Sequence, residues 1–204
     1  MGISRQQAAQ NREAIIAAAE QLFREKGVDA VGLNDLMDAA GFTRGGFYNH
    51  FKSKDALVAA VMDKAMQDGA ATLDAVLAGS RGRDPLDGQI GWYLSPGHRD
   101  DVEHGCPLSA FAGDVRRFDA AAREQYARGL EANLEFYAGL VARPGDSAAA
   151  ARARAVAVFS EMAGALLLSR AVAAAAPELS EEILESAQRS LRAAAKGKRP
   201  AKAG

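Results

Sequence analysis

The stretch GFTRGGFYNHFKSK, residues 41–54, decides how the rest of the chain is interpreted. Its third residue, Thr43, is a good N-cap for a short helix over residues 44–50. At about 100° per residue, Phe47 and Phe51 lie on the same side of such a helix. The pattern therefore predicts a short helix that is anchored by two buried rings and exposes its polar side chains.

The side of this predicted helix opposite Phe47 carries Gly45 and Asn49, and Gly46 lies on one flank with His50. Gly45 and Gly46 each oppose helix formation by about 1 kcal/mol relative to alanine. Residues that disfavour a helix on its exposed surface indicate a function that requires another molecule to approach the backbone closely. Such a surface can lie deep in the major groove, where Asn49 would reach a base edge, with adenine as its best geometric match. The stretch predicts the recognition helix of a helix-turn-helix unit.

The charge of the chain as a whole does not indicate DNA binding, but one short segment is basic. The 204 residues carry a formal net charge of −1, and the isoelectric point is about 6.3. Residues 39–54 nevertheless hold three cationic side chains and no carboxylate, which forms a local basic patch. The expected DNA-binding residues are Thr43, Arg44, Gly45, Gly46, Tyr48, Asn49, His50, Lys52 and Lys54.

The remainder of the sequence predicts an all-α protein. Alternating β-branched patterns are nearly absent, and the helix formers Ala, Leu and Arg are abundant. Gly27 is the expected C-cap of the first helix and Ser180 the expected N-cap of the last. The predicted helices, about nine in number, cover approximately residues 7–26, 33–40, 44–50, 54–77, 86–94, 106–116, 119–142, 147–175 and 180–195.

This organisation predicts two domains and a tail. Residues 1–53 form a three-helix DNA-binding domain, residues 54–195 a helical bundle for ligand binding and dimerisation, and residues 196–204 a disordered basic tail. The only cysteine excludes an internal disulfide, which is typical of a reducing cytoplasm. The longest strongly apolar run, residues 163–168, is too short to cross a bilayer. We expect a cytoplasmic protein with no membrane partner.

The motifs of the first 57 residues resemble the TetR family of bacterial transcriptional repressors. The matching segments are AAEQLF at 18–23, KG at 26–27, DLMDAAGF at 35–42, TRGGFYNHF at 43–51 and KSKDAL at 52–57. The resemblance implies a homodimer that binds double-stranded DNA at a palindromic operator and leaves it when a small-molecule effector binds. The family's DNA contacts would fall here on Arg44, Tyr48, Asn49, His50 and Lys54.

The sequence departs from the family pattern at two places. Val31-Gly32 stands where relatives usually place Thr or Ser at the start of the second helix. Gly46 stands where many relatives place a small side chain against the DNA. The resemblance therefore implies no hydroxyl contact with phosphate at Val31-Gly32. It also implies no side-chain contact with DNA at Gly46.

Aromatic and methionine side chains concentrate in the middle of the chain. Because ligand pockets are mostly apolar with a few polar groups, this concentration predicts a pocket for a mostly apolar or aromatic effector. The same residues also suit an ordinary core. The candidate ligand-binding residues are Met62, Met66, Trp92, Tyr93, Phe111, Phe136, Tyr137 and Phe159.

Small residues near position 164 of the Ala-rich helix permit close approach of another helix. Leaning on the resemblance, we expect the last two helices to form a dimer interface across a two-fold axis, although the same stripe would also suit the core of a monomer. The expected interface residues are Val156, Met162, Gly164, Leu167, Leu184 and Leu191.

Other function classes find less support in the sequence. Cys106 stands before Pro107 at a predicted helix N-terminus, which favours a reactive thiol and gives the alternative of a redox- or electrophile-sensing regulator. A small buried cysteine is the simpler interpretation. No nucleophile elbow, phosphate-cradling loop or common zinc spacing occurs, so we expect no catalytic residues, metal or cofactor. A helical enzyme and a protein-binding adaptor remain alternatives.

Overall fold

The structure, a computed structural model, describes residues 4–80, 82 and 84–196. These residues form helices and connecting loops without a β-strand, as the sequence predicts. The α-helices are α1 (Arg5–Lys26), α2 (Leu33–Ala39), α3 (Lys54–Gly79), α4 (Pro85–Tyr93), α5 (Pro96–Asp100), α6 (Pro107–Phe111), α7 (Ala120–Val141), α8 (Ala148–Val172) and α9 (Pro177–Lys196), and Arg44–Asn49 and Val115–Arg117 are 3-10 helices.

The first helix shows how local sequence sets the element ends. Ser4 caps α1 because its Oγ accepts a hydrogen bond from the backbone N–H of Gln7 at 3.1 Å. Gly27 ends the helix at φ 79°, and its N–H donates to the Phe23 carbonyl at 2.9 Å. The predicted glycine C-cap is thus confirmed, because few other residues adopt this φ at low cost.

The backbone contacts divide the chain into two units, and the first contains the sequence up to Gly69 together with Val102–Gly129. This division differs from the predicted boundary at residue 53. The reason is that the first half of α3 contributes to the same hydrophobic core as α1 and α2. The core side chains from α3 are Leu57, Val58, Val61, Met62 and Ala65.

Two glycines allow the helices of the first unit to approach closely. A Cβ atom at Gly129 on α7 would lie 2.5 Å from the Met66 side chain of α3. A Cβ at Gly69 would lie 2.9 Å from the ring of Pro107 on α6. Larger residues at these two positions would therefore force α3 away from its neighbours.

The second unit contains Ala70–Asp101 and the chain from Leu130 onward. Within it α8 packs along α9, and α4 and α5 pack against this pair. By length and composition α8 is apolar enough to cross a membrane, but core helices of soluble proteins share that composition. Its buried face, which includes Phe159 and Leu166, packs inside this unit.

Two predicted helix boundaries are wrong, and one short helix was missed, in the middle and at the end of the chain. The helix predicted over 106–116 ends at Phe111, where the Asp114 N–H donates to the Phe111 carbonyl and turns the chain. The short helix α5 was not predicted; its cap is Ser95, whose Oγ accepts from the His98 N–H at 3.1 Å. The last helix begins at Pro177, a favoured first residue, before the predicted start.

Ser180 is therefore not an N-cap but a buried residue inside α9. Its hydroxyl lies 2.7 Å from the Ser169 hydroxyl and donates to the Ser169 carbonyl of α8 at 2.9 Å. The pair joins the last two helices through polar groups that are fully satisfied. Apart from Lys196 at the end of α9, the predicted basic tail 196–204 lies outside the described residues.

Candidate nucleic-acid interface

The recognition segment, Arg44–Asn49, forms a 3-10 helix where the sequence predicts an α-helix. Its turns are closed by the Gly46 N–H donating to the Thr43 carbonyl and the His50 N–H donating to the Phe47 carbonyl, both at 2.9 Å. Adjacent glycines are poor α-helix formers, and short polar segments often adopt the tighter helix. Thr43 occupies the N-cap position, but its side chain makes no capping hydrogen bond.

Two phenylalanine rings hold the recognition segment in place. Phe47 and Phe51 are buried, and their ring centroids lie 5.7 Å apart. Both belong to the hydrophobic core of the first unit, which also contains Phe23 and Leu36. The prediction that two buried rings anchor the segment is confirmed.

The outer surface of the segment presents polar groups and one bare stretch of backbone. Tyr48 is 63% exposed, and its ring packs edge-on against Phe47 at 5.3 Å. A Cβ at Gly45 would meet no atom within 4 Å, so this backbone is open to an approaching surface. The other exposed candidates are Thr43, Arg44, Asn49 and Lys52, and His50 is half-buried.

Gly46 departs from the prediction that both glycines face outward. It is half-buried, and a Cβ there would contact Met37 Cε at 3.8 Å and Thr43 Oγ1 at 3.9 Å. These are ordinary van der Waals distances to the side of α2. A side chain at this position would turn toward the protein, so only Gly45 supplies open backbone.

Lys54 also departs from its predicted place on a phosphate. Its Nζ donates to the carbonyl of Val28 at 2.6 Å and to that of Val31 at 2.7 Å. It also lies 5.9 Å from the centre of the Phe23 ring. The ammonium therefore ties the start of α3 to the turn between α1 and α2.

One cationic residue beside the segment was missed by the sequence interpretation. The Arg12 guanidinium on α1 lies 4.9 Å from the centre of the Phe51 ring, in cation–π geometry. Its side chain is 44% exposed. Arg12 precedes the buried Ile16 by one helical turn, and this spacing could have placed it beside the core that carries the segment.

The eight candidate ligand residues do not form one group. Met62 and Phe111 are core residues of the first unit, and Met66 packs against that core. The second unit holds what we call the aromatic cluster, which consists of Trp92, Tyr93, Phe136, Tyr137 and Phe159. The predicted set is therefore divided between the two units.

Phe159 on α8 is the centre of the aromatic cluster. Its ring centroid lies 6.0 Å from that of Tyr93 on α4 and 5.7 Å from that of Tyr137 on α7. His98 stacks on Trp92 at 4.4 Å and contacts the Tyr93 carbonyl through Nδ1 at 2.7 Å. Burial lowers the pKa of the His98 imidazole, although the Tyr93 carbonyl partly opposes this effect.

The predicted dimer residues also divide into two sets. Met162, Leu184 and Leu191 are buried inside the chain itself, so their side chains face its own core. Val156 and Leu167 are 42% and 40% exposed, and the space beside Gly164 is open. Two exposed leucines were missed, Leu168 at 61% and Leu179 at 45%. They lie on α8 and α9. They were missed because the buried apolar stripe of these two helices was the clearer pattern in the sequence.

Comparison with known proteins points to one family. The family model described as bacterial regulatory proteins, tetR family, matches residues 15–61. An uncharacterised helix-turn-helix transcriptional regulator of Lactococcus lactis subsp. lactis is 28% identical over 168 residues, which cover 77% of this chain and 82% of that protein. The transcriptional repressor NemR of Escherichia coli K12 is 29% identical over 128 residues, which cover 60% of this chain and 64% of the repressor.

Other curated helix-turn-helix regulators align over shorter stretches, which span only 27–38% of their own length. Among solved structures, a TetR transcriptional regulator of Chloroflexus aurantiacus superposes with a TM-score of 0.74 at 25% identity, over 91% of this chain and 94% of that one. The reduced form of Escherichia coli NemR gives 0.73 at 20% identity, over 90% and 95%. The likeness of fold thus extends over about nine-tenths of the chain.

Proposed function

Because this chain is a TetR-family transcriptional regulator, we propose that it is a repressor that binds a palindromic operator as a homodimer and leaves it when a small, mostly apolar molecule binds. The observation that carries the proposal is the recognition segment, which is held by the buried rings of Phe47 and Phe51 while its polar groups and the Gly45 backbone face outward. The relatives are transcriptional regulators, and we propose that this chain likewise acts without catalysis, in the cytoplasm.

The exposed groups of the segment have different roles in this proposal. Asn49 contacts a base edge in the major groove, because its amide pairs best with adenine. Arg44, Tyr48 and Lys52 contact phosphates, which fix position and carry little sequence information. Arg12 extends this phosphate-binding surface from α1. Lys54 acts indirectly, by holding the turn between α1 and α2 through two carbonyls.

We propose that the dimer forms through the exposed apolar face of α8 and α9. Val156, Leu167 and Leu168 are exposed on α8, and Leu179 is exposed on α9. Exposed apolar patches of this kind mark association surfaces, and a two-fold interface uses the same patch on both copies. The open space beside Gly164 allows the partner helix to approach closely.

In this proposal, release from DNA is a shift from a conformation that fits the operator to one that does not. The effector must bind more tightly to the conformation that fits the operator poorly. The continuous helix α3 contributes its first residues to the core of the DNA-binding unit and its last residues to the second unit. It is therefore the element that links the effector site to the recognition segment.

The proposal is tested by selecting bound duplexes from a random DNA pool with the full chain. We expect enrichment of a palindrome, with log affinity falling as log salt concentration rises. A pool that shows no enrichment, or a selected site without two-fold symmetry, would contradict the operator proposal. The same gel-shift reactions would measure the stoichiometry of the complex.

A second candidate function is sensing of oxidants or electrophiles through Cys106. The half-buried thiol occupies the N-cap position of α6, and the Arg24 guanidinium of α1 donates to the preceding Gly105 carbonyl at 3.0 Å. Modification there would disturb a contact with the DNA-binding core. The similar NemR structure is that of its reduced form, so the redox state is a property of NemR. A Cys106→Ser protein that still leaves DNA on treatment with peroxide or quinones would end this candidate.

A further inference from the structure

Two buried side-chain amides of the second unit lie on helices that also carry rings of the aromatic cluster. Gln89 on α4 is fully buried, and Asn133 on α7 is 8% exposed. Within the part of the chain that the structure describes, Gln89 Oε1 and Asn133 Nδ2 have no hydrogen-bond partner. An unpaired buried polar atom lowers stability, so a folded protein retains one only for a reason.

The orientation of the Gln89 amide is fixed by its other end. Gln89 Nε2 donates to the Leu73 carbonyl of α3 at 3.0 Å, which assigns the amide nitrogen and leaves Oε1 pointing elsewhere. A Cβ at the preceding Gly88 would collide with Ser80 Oγ, so α4 lies tight against the end of α3. Gln89 Oε1 is therefore a rigid hydrogen-bond acceptor.

Each amide lies one helical turn before a ring of the aromatic cluster. Gln89 precedes Tyr93 by four residues on α4, and Asn133 precedes Tyr137 by four on α7, so each pair shares one face of its helix. The rings of Tyr93 and Tyr137 both contact Phe159, at 6.0 and 5.7 Å. One acceptor atom, Gln89 Oε1, and one donor atom, Asn133 Nδ2, thus belong to the helix faces that carry two rings of the aromatic cluster.

We propose that Gln89 and Asn133 are the polar contacts of the effector site, and that the effector is a neutral aromatic molecule with one hydrogen-bond donor and one acceptor. Aromatic carboxamides are the simplest members of this class. The inference rests on the proposed function, since it assigns the chemistry of the effector. An amide oxygen only accepts and an amide nitrogen only donates, so each of the two atoms requires the opposite group on the ligand.

The environment favours a neutral ligand over an ionised one. Both amides are uncharged, and a buried ion without a paired charge is strongly disfavoured. Burial keeps the His98 imidazole beside Trp92 neutral near pH 7, because it lowers the pKa of that ring. A pocket of apolar rings with a few oriented polar groups is the usual arrangement for a small-molecule site.

The experiment uses the full chain without DNA and two probes of similar size, benzamide and ethylbenzene. Trp92 is the only tryptophan and belongs to the aromatic cluster, so its fluorescence reports binding directly. Benzamide supplies both a donor and an acceptor, whereas ethylbenzene leaves both protein amides unpaired. We expect benzamide to bind at least about tenfold more tightly, since a site built for hydrogen bonding rejects a ligand without them.

The variants Gln89→Leu and Asn133→Leu should each reduce this preference to about twofold or less, because one paired atom is gone. Gln188→Leu is the matched control in the same unit. Its amide is satisfied at both ends, with Nε2 donating to the Leu94 carbonyl and Oε1 accepting from Arg192, both at 2.9 Å. The control should lower the melting temperature and keep the benzamide preference, whereas Asn133→Leu should melt no lower than the parent protein.

Three results would overturn the proposal: equal affinity of the parent protein for both probes, no fluorescence response to either, or a benzamide preference that survives both leucine variants. If one leucine variant does not fold, the other carries the same test. Operator binding is measured on the same samples. A protein that binds operator DNA but ignores benzamide ends this inference alone, and a protein that binds benzamide but no DNA ends the proposed function alone.

Discussion

The recognition segment and the aromatic cluster differ in how their polar groups are arranged. The segment presents its polar groups and open Gly45 backbone to solvent, above two buried rings. The helices α4 and α7, which carry rings of the cluster, also hold polar atoms of Gln89 and Asn133 that are buried without partners in the described chain. A surface that meets DNA can satisfy its polar groups with water until the duplex arrives. A buried site cannot, so unpaired atoms there indicate the chemistry of an expected ligand.

The largest expected effect is the loss of stability caused by Phe47→Ala, in the core beneath the recognition segment. The ring is buried in the core of the first unit, and its removal should cost about 3–5 kcal/mol of unfolding free energy. DNA binding should disappear with it. Urea denaturation followed by circular dichroism measures the loss. The control Tyr48→Ala removes a ring that is 63% exposed, and it should change stability by only about 0.5 kcal/mol.

The next effect tests whether Lys54 belongs to the DNA surface or to the scaffold beneath it. Lys54→Met removes charge-assisted hydrogen bonds to two carbonyls and should cost about 2 kcal/mol of stability. Its control, Lys52→Met, removes an exposed cation and should instead reduce the salt dependence of DNA binding by about one phosphate contact. If Lys54→Met instead kept the stability and reduced the salt dependence of DNA binding, Lys54 would be assigned to a phosphate contact.

The proposed dimer face allows a third comparison, between exposed and buried apolar residues of the same helix. Leu168→Glu places a charge on the exposed face of α8 and should weaken dimerisation about thirtyfold, the scale of a 2 kcal/mol interface residue. Sedimentation velocity over a range of concentrations measures the dissociation constant. Met162→Ala, at a buried position, should lower the melting temperature and leave the constant nearly unchanged. Dimers that persist in the glutamate variant would contradict this interface.

The smallest expected effect concerns pH and the aromatic cluster. The pKa of His98 is lowered by burial, so between that value and about 6.5 the unfolded chain binds more protons than the folded one. Unfolding free energy should therefore fall as pH drops below about 6.5, by no more than about 1.4 kcal/mol per pH unit. Urea denaturation at pH 7.5 and 5.5 measures this difference. His98→Gln should flatten it, whereas the exposed His104→Gln should keep it.

The two regions also differ in how far sequence alone could describe them. The segment is a local motif, so the cap position at Thr43, the buried rings of Phe47 and Phe51 and the helical class of the fold followed from spacing. Its finer placement did not, because the turn of Gly46 toward Met37 and of Lys54 toward two carbonyls depends on how α1, α2 and α3 pack.

The aromatic cluster unites residues from α4, α7 and α8, and its first and last members, Trp92 and Phe159, are 67 positions apart in the sequence. Ring content identified Tyr93 and Phe159, but nothing in the pattern separated them from Met62 and Phe111, which lie in the core of the other unit. The amides of Gln89 and Asn133 give no signal in the sequence. Their importance appears only when burial and hydrogen bonding are known.

The contact between Asn49 and a base tests the central claim most directly. The affinity of the parent protein and of Asn49→Ala should be measured for the selected operator and for a scrambled duplex at one salt concentration. We expect the variant to lose about 1–3 kcal/mol on the operator and almost nothing on the scrambled duplex, so that the specificity ratio falls. An equal loss on both duplexes, or no loss on either, would contradict the assignment of the recognition segment to the bases.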